Sequence, residues 1–130
     1  IDGGSTDESV ALIQDNLTHI DYWVSEKDQG GYDAMNKGIK LAKGDIVGFL
    51  NSDDYYYNDT LKIVNHYFST QKIDFLFGSV EKYKLMHGYK PWKIKFSWGF
   101  YSSHSTGFYI KNSSSKIIGK YDLRYKYSSS

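Results

Sequence analysis

Three short polar runs gather the residues able to do chemistry: DGGSTD at 2–7, SEKDQGG at 25–31 and NSDD at 51–54. Asp2 can accept hydrogen bonds from the N–H groups of a flat base or from ribose hydroxyls. Gly3 and Gly4 let the backbone come close to such a ligand. Asp53 follows the apolar run IVGFL at 46–50, and a carboxylate at the end of a buried strand offers a hard oxygen ligand to Mg2+ or Mn2+. A cation held there would neutralise a diphosphate and stabilise it as a leaving group. Each run alone also reads as an ordinary turn with a helix cap. Three such runs, each at the end of an expected strand, are hard to explain as caps alone.

Other chemistries lack their residues. There is no GxxxxGK[ST] and no GxGxxG opening a helix, which argues against a P-loop and a dinucleotide fold. None of the four histidines has the spacing of a zinc hydrolase, and the chain has no cysteine, so disulfides and thiolate metal sites are excluded.

The elements that must position these runs alternate. Apolar periodicity predicts a helix over 6–14 capped by Ser5 or Thr6, a strand over 19–25 and a helix over 32–42 stopped by Gly44. A strand buried on both faces follows at 45–50, then a helix over 59–68 with Leu61, Val64 and Phe68 aligned, and a strand over 73–80. Short connections between strands and helices predict βαβ units, hence an α/β fold with a doubly wound, mostly parallel sheet. Ligands of such sheets sit beyond the carboxyl ends of the strands, where all three polar runs fall. Beyond residue 82 the alternation decays, leaving a strand over 106–111 and a short helix over 113–118.

At 130 residues, 40% hydrophobic and 24% charged, the composition is that of one soluble globular domain. Net charge is +1, but residues 1–81 hold fourteen of the fifteen acids and only six lysines, whereas residues 82–130 hold nine lysines and Arg124 against Asp122 alone. The acidic part suits a cation and the basic part an anion or an anionic surface. No apolar run approaches the ~20 residues of a membrane span.

The run from IDGGSTD through SEKDQGGYDAMNKGIKLAKGDIVGFLNSDD resembles family 2 glycosyltransferases of the GT-A, Rossmann-like fold, in particular those of bacterial exopolysaccharide and lipopolysaccharide biosynthesis. The later HSTGFYIKNSSSKIIGKYD (104–122) resembles a second segment of that family less strongly. The resemblance implies a donor-binding set of Asp2, Gly3, Asp28, Gly30, Asn36, Asn51, Asp53 and Asp54. It implies Asp53 as the ligand of Mg2+ or Mn2+, since the family's DxD falls on Asn51-Ser52-Asp53 with Asn51 in place of the first acid. His104 matches a histidine on the acceptor side, and its plain alternative is a satisfied structural histidine.

By the same resemblance the sequence is expected to be a single partial domain, with 1–81 as the nucleotide-sugar and metal half and 82–130 as the acceptor half. The first strand would precede Ile1, and the general base, in a DY[DE] motif, would follow Ser130; Asp122 is not that base. The expected activity is metal-dependent, inverting transfer of a sugar from a nucleoside-diphosphate sugar, a UDP-sugar, to a glycan or lipid-linked acceptor, with residues 1–130 alone inactive. A non-catalytic nucleotide or sugar binder is the alternative, and the acidic first half argues against a nucleic-acid module. A cytoplasmic location, peripheral at the inner face of the membrane, is implied. Residues 83–101 interleave Lys84, Lys90, Lys93 and Lys95 with Tyr89, Trp92, Phe96, Trp98, Phe100 and Tyr101, which suits an anionic membrane surface. Their plain alternative is a half-buried strand with a solvated lysine face.

Overall fold

A computed structural model describes residues 1–81, 85–86 and 104–124. The chain divides into two compact units, residues 43–117 forming one and residues 1–42 with 118–130 the other. Nearly all of the segment 83–101 lies outside the described residues.

In the unit that includes residue 1, Asp2 makes a parallel bridge to Ser25, with its N–H on the Val24 carbonyl at 2.9 Å and its own carbonyl accepting the Glu26 N–H at 3.1 Å. That bridge is all that forms of the strand expected over 19–25. Residues Leu17–His19 form a 3-10 turn instead, tied by the Asn16 side chain to the Leu12 carbonyl. Helix α1 (Ser9–Asp15) begins later than expected: its N-cap is Glu8, which makes no side-chain cap bond, and neither Ser5 nor Thr6 caps it, while Asp7 Oδ1 accepts the Ser9 N–H at 3.0 Å. Helix α2 (Gly31–Leu41) is entered through Gly30 at φ 113° and ψ 177°, a backbone conformation essentially restricted to glycine. It ends on extended backbone at Ala42 (φ −60°), so Gly44 does not close it.

The second unit is built on a three-stranded sheet of order β1-β5-β2, with β1 at Ile46–Gly48, β2 at Phe75–Phe77 and β5 at Phe108–Lys111. Strand β5 runs antiparallel to both neighbours, setting Val47 opposite Ile110 and Leu76 opposite Tyr109. This corrects the expectation of a mostly parallel sheet for the described residues. Strands β1 and β2 do point the same way, but the later β5 lies between them and takes their hydrogen bonds. The parallel pairing among the described residues is the Asp2–Ser25 bridge.

Helix α3 (Thr60–Thr70) buries Val64, which joins Val47, Tyr109 and Ile110 as the buried apolar side chains among the described residues. Leu61, expected on the same face, is 62% exposed. The strand expected to be buried on both faces buries Val47 only, and Leu50 is half exposed. A hairpin of β3 (Val80–Glu81) and β4 (Leu85–Met86) follows β2, and α4 (Asn112–Ile118) follows β5 directly.

Candidate functional site

Because β5 is antiparallel to β1, the residues entering β5 stand beside those leaving β1. The chain leaving β1 reaches Asn51–Asp54, where a turn puts the Asp54 N–H on the Asn51 carbonyl at 3.1 Å. The chain entering β5 carries His104 and a 3-10 turn at Ser105–Gly107. The two stretches are joined through Asp54. Its Oδ2 accepts from Asn51 Nδ2 at 2.7 Å and from the Thr106 hydroxyl, and His104 Nδ1 lies 3.1 Å from that hydroxyl and 3.7 Å from the carboxylate. A hydroxyl has one proton, and this one is given to Asp54, so the histidine contact requires a proton on Nδ1. The proton position is thus assigned from the network.

Of the expected residues, the structure therefore brings Asn51, Asp54 and His104 together. Asp53, one residue away, is exposed, and among the described residues its carboxylate makes no hydrogen bond or ion pair. Both aspartates line a cavity of about 720 Å3 that also includes Tyr55, Tyr57, Glu81 and Tyr109. The Tyr57 hydroxyl donates to Glu81, and burial pushes the Tyr109 phenol well above its ordinary range, so both remain protonated.

The other expected residues are organised in the first unit. Asp2 Oδ2 accepts from the Gly4 and Ser5 N–H groups, each at 3.0 Å, and from Ser25 Oγ at 2.6 Å, while Oδ1 accepts from Ser5 Oγ at 2.5 Å. The Ser25 hydroxyl, more than the others, holds this carboxyl far below the usual carboxylate range. Asp28 Oδ1 accepts the Gly30 N–H at 2.9 Å and fixes the entry to α2. A Cβ on Gly3 would lie 2.5 Å from Asp28 Oδ2 and would push that carboxylate aside.

Asn36 has a different engagement. Its Nδ2 donates to the Tyr121 carbonyl at 3.0 Å and its Oδ1 accepts the Tyr121 N–H at 2.8 Å, so the amide pairs with backbone as a strand neighbour would. The Tyr121 ring stacks on Tyr32 at 5.2 Å. Asp122 is forked by Arg124 (Nη2 to Oδ2, 2.6 Å), which lowers its pKa and leaves it a poor proton acceptor.

Two participants escaped the sequence: Thr106 and Ser25. Thr106 stands only as the first residue of the strand expected over 106–111, and nothing in that expectation ties it to Asp54 or His104. Ser25 had no signal beyond its place at a strand end.

Among the described residues no cluster of three histidine, aspartate or glutamate side chains is arranged to hold a metal. The chemistry of the donors still fits a hard cation completed by a ligand. Mg2+ is commonly bound by one or two carboxylates with phosphate oxygens and water supplying the rest.

The sequence profile described as glycosyl transferase family 2 matches residues 1–126. A glycosyltransferase of Mycobacterium tuberculosis described as uncharacterised is 50% identical over 56 residues, covering 43% of this chain and 21% of its own length. A PGL/p-HBAD biosynthesis glycosyltransferase of Mycobacterium bovis is 39% identical over 85 residues, covering 62% of this chain and 33% of its own. A Haemophilus influenzae glycosyltransferase is 38% identical over 65 residues, 48% of this chain and 26% of its own. The chain thus spans about a third or less of the curated relatives it matches. No solved structure matches it.

Proposed function

The chain belongs to glycosyl transferase family 2, and from that premise we propose that it supplies the donor and cation site of an enzyme transferring a sugar from a nucleoside-diphosphate sugar to a glycan or lipid-linked acceptor, with a UDP-sugar as donor and inversion at the anomeric carbon. The observation that carries the proposal is the contrast between adjacent aspartates. Asp54 is tied to Asn51 and Thr106, while Asp53 is exposed beside it at the cavity. A locked neighbour holds the loop still, and the free carboxylate is then presented without reorganisation. Mg2+ or Mn2+ at Asp53 would supply charge neutralisation of the diphosphate. Asp2 keeps acceptor capacity on Oδ1, which takes one of the four hydrogen bonds that its carboxylate receives. That oxygen suits a nucleoside N–H or hydroxyl.

No helix among the described residues is long and apolar enough to cross a membrane. Peripheral contact with an anionic leaflet is assigned to residues 83–101 on their alternation of lysines and aromatics.

The test is calorimetric titration of UDP with and without Mn2+. Wild type and Asp59→Ala should bind UDP more tightly with the metal, and Asp53→Ala should lose that difference. Asp59 is the fair control, since it makes no side-chain cap bond to α3. Equal metal-dependent binding by Asp53→Ala removes the assignment.

A further inference from the structure

The polar run 25–31 is tied to two partners within the unit that includes residue 1, and one tie is a cation outside the donor-binding set. The first partner is the run at 2–5. The Glu26 N–H donates to the Asp2 carbonyl at 3.1 Å, and Ser25 Oγ donates to Asp2 Oδ2 at 2.6 Å. A Cβ on Gly4 would lie 3.3 Å from the Lys27 nitrogen, so the two backbones nearly touch there. The second partner is helix α2. Lys37 Nζ lies 3.0 Å from Glu26 Oε1 and 3.5 Å from Asp33 Oδ2, and it donates to the Lys27 carbonyl at 3.4 Å. Asp33 Oδ2 in turn accepts the Gln29 N–H at 3.1 Å.

A single exposed ion pair contributes little, because water screens it and ordering two long side chains costs entropy. Lys37 is better placed. Its side chain is 21% exposed and that of Asp33 is 20%, so screening is reduced. An ammonium has N–H donors enough for Glu26, Asp33 and the Lys27 carbonyl together. Asp33 and Lys37 stand one helical turn apart on α2, so a rigid element presents them as a pair. The bond to Glu26, ahead of other causes, raises the Lys37 pKa and keeps the cation charged across the ordinary pH range. Without it, the Glu26 and Asp33 carboxylates would face each other with no ammonium between them, a like-charge arrangement that pushes residue 26 away from α2.

We propose that Lys37 is a positioning residue for the donor: it clamps residues 26 and 27 to α2, and through them holds Ser25 and Asp2 in the arrangement that receives the nucleoside. The proposal rests on the reading of Asp2 as a nucleoside contact. Lys37 itself touches neither nucleoside nor diphosphate, since its ammonium is engaged by protein acceptors. A site that is competent only part of the time has its apparent Kd raised by the inverse of the competent fraction. The upper end of what an ion pair of this kind contributes corresponds to about a fivefold change in that fraction, or about 1 kcal/mol. The clamp acts on the nucleoside end, so its loss weakens uridine and UDP alike and leaves the gain from a cation untouched.

Two measurements on the whole chain test it. The first is affinity, by saturation-transfer NMR for uridine and by calorimetry for UDP with and without Mn2+. Lys37→Met should weaken uridine and UDP by the same factor, about fivefold, and keep the gain from Mn2+ that Asp53→Ala loses. Lys37→Arg should restore binding, because a guanidinium also bridges carboxylates. The double variant Lys37→Met with Glu26→Gln should bind no more weakly than Lys37→Met, since both changes cut one tie. The second measurement is amide hydrogen exchange without ligand: protection of the Glu26 N–H should fall in Lys37→Met while Met35 and Ile39 within α2 stay protected. Unchanged affinity in Lys37→Met, loss of UDP binding with uridine unaffected, or loss of protection throughout α2 overturns the proposal. Failure of the donor reading shows differently: the wild type then binds neither uridine nor UDP, while the Glu26 amide still responds to Lys37→Met.

Discussion

Replacing Asn36 with alanine separates two roles for one residue, a donor contact and a brace for the segment at 121. The wild-type amide makes two part-buried hydrogen bonds to Tyr121 backbone, at 3.0 and 2.8 Å. Each such bond contributes about 1 kcal/mol net, so their loss costs about 2 kcal/mol. The cost rises if the orphaned N–H and C=O stay shielded under the Tyr32–Tyr121 stack, since an unsatisfied group costs about 1–3 kcal/mol. Against this, alanine is the better helix former within α2 by up to ~0.7 kcal/mol. The bracing term wins, and Asn36→Ala should destabilise the protein by roughly 1.5 kcal/mol or more. Asn36→Asp keeps the acceptor for the Tyr121 N–H but turns a carboxylate oxygen toward the Tyr121 carbonyl, so it should not restore stability. Urea unfolding followed by circular dichroism gives the energy, and amide hydrogen exchange at Tyr121 gives the mechanism, because protection of that N–H should fall in Asn36→Ala. An unchanged midpoint with intact Tyr121 protection, coupled to loss of UDP affinity, would refute the brace and return Asn36 to the donor site.

Two further outcomes are expected. A Cβ on Gly107 would lie 2.8 Å from the Gly78 carbonyl oxygen and 2.8 Å from Val80 Cγ2, so Gly107→Ala should cost about 1–3 kcal/mol and release the Gly78 N–H from its 2.7 Å bond to the Gly107 carbonyl; urea unfolding measures the first and hydrogen exchange at Gly78 the second. The folded pKa of Asp2 is depressed, first by Ser25 and then by Ser5, so its contribution is present above the unfolded value near ~4 and is lost as pH falls below it. Carboxyl-resolved NMR should find Asp2 titrating well below the other aspartates, with Ser25→Ala moving it upward, and an ordinary titration in wild type would contradict the Ser25 bond.

Helices were more legible than strands, and the reason is where each gets its signal. The helix expected over 32–42 appears as Gly31–Leu41 and that over 59–68 as Thr60–Thr70, because an apolar stripe and local turn chemistry lie within the segment itself. The partner of a strand lies elsewhere in the chain. IVGFL announced a buried strand, yet nothing in those five residues says that Phe108–Lys111 will pair with it antiparallel. The expectation of adjacent parallel strands came from counting alternation, which constrains chain order but not which later strand enters the sheet. In the same way, Asp54 was legible as a polar residue at a strand end, but its hydroxyl partner at Thr106 lies fifty-two positions away. Ser25, twenty-three positions from Asp2, was hidden for the same reason.

The pairing that sequence could not supply is also what differentiates the two aspartates. Were β1 flanked only by parallel strands, their carboxyl ends would present loops leaving the sheet on the same side, with no incoming chain between them. An antiparallel β5 instead delivers residues 104–106 to the point where 51–54 depart. Thr106 then gives Asp54 a fixed partner, and Asn51 gives it a second through an amide N–H that a carboxylate could not donate. The Asn51 amide and the Asp54 carboxylate thus form a donor–acceptor pair that anchors Asp54, and the loop so anchored leaves the Asp53 carboxylate exposed at the cavity.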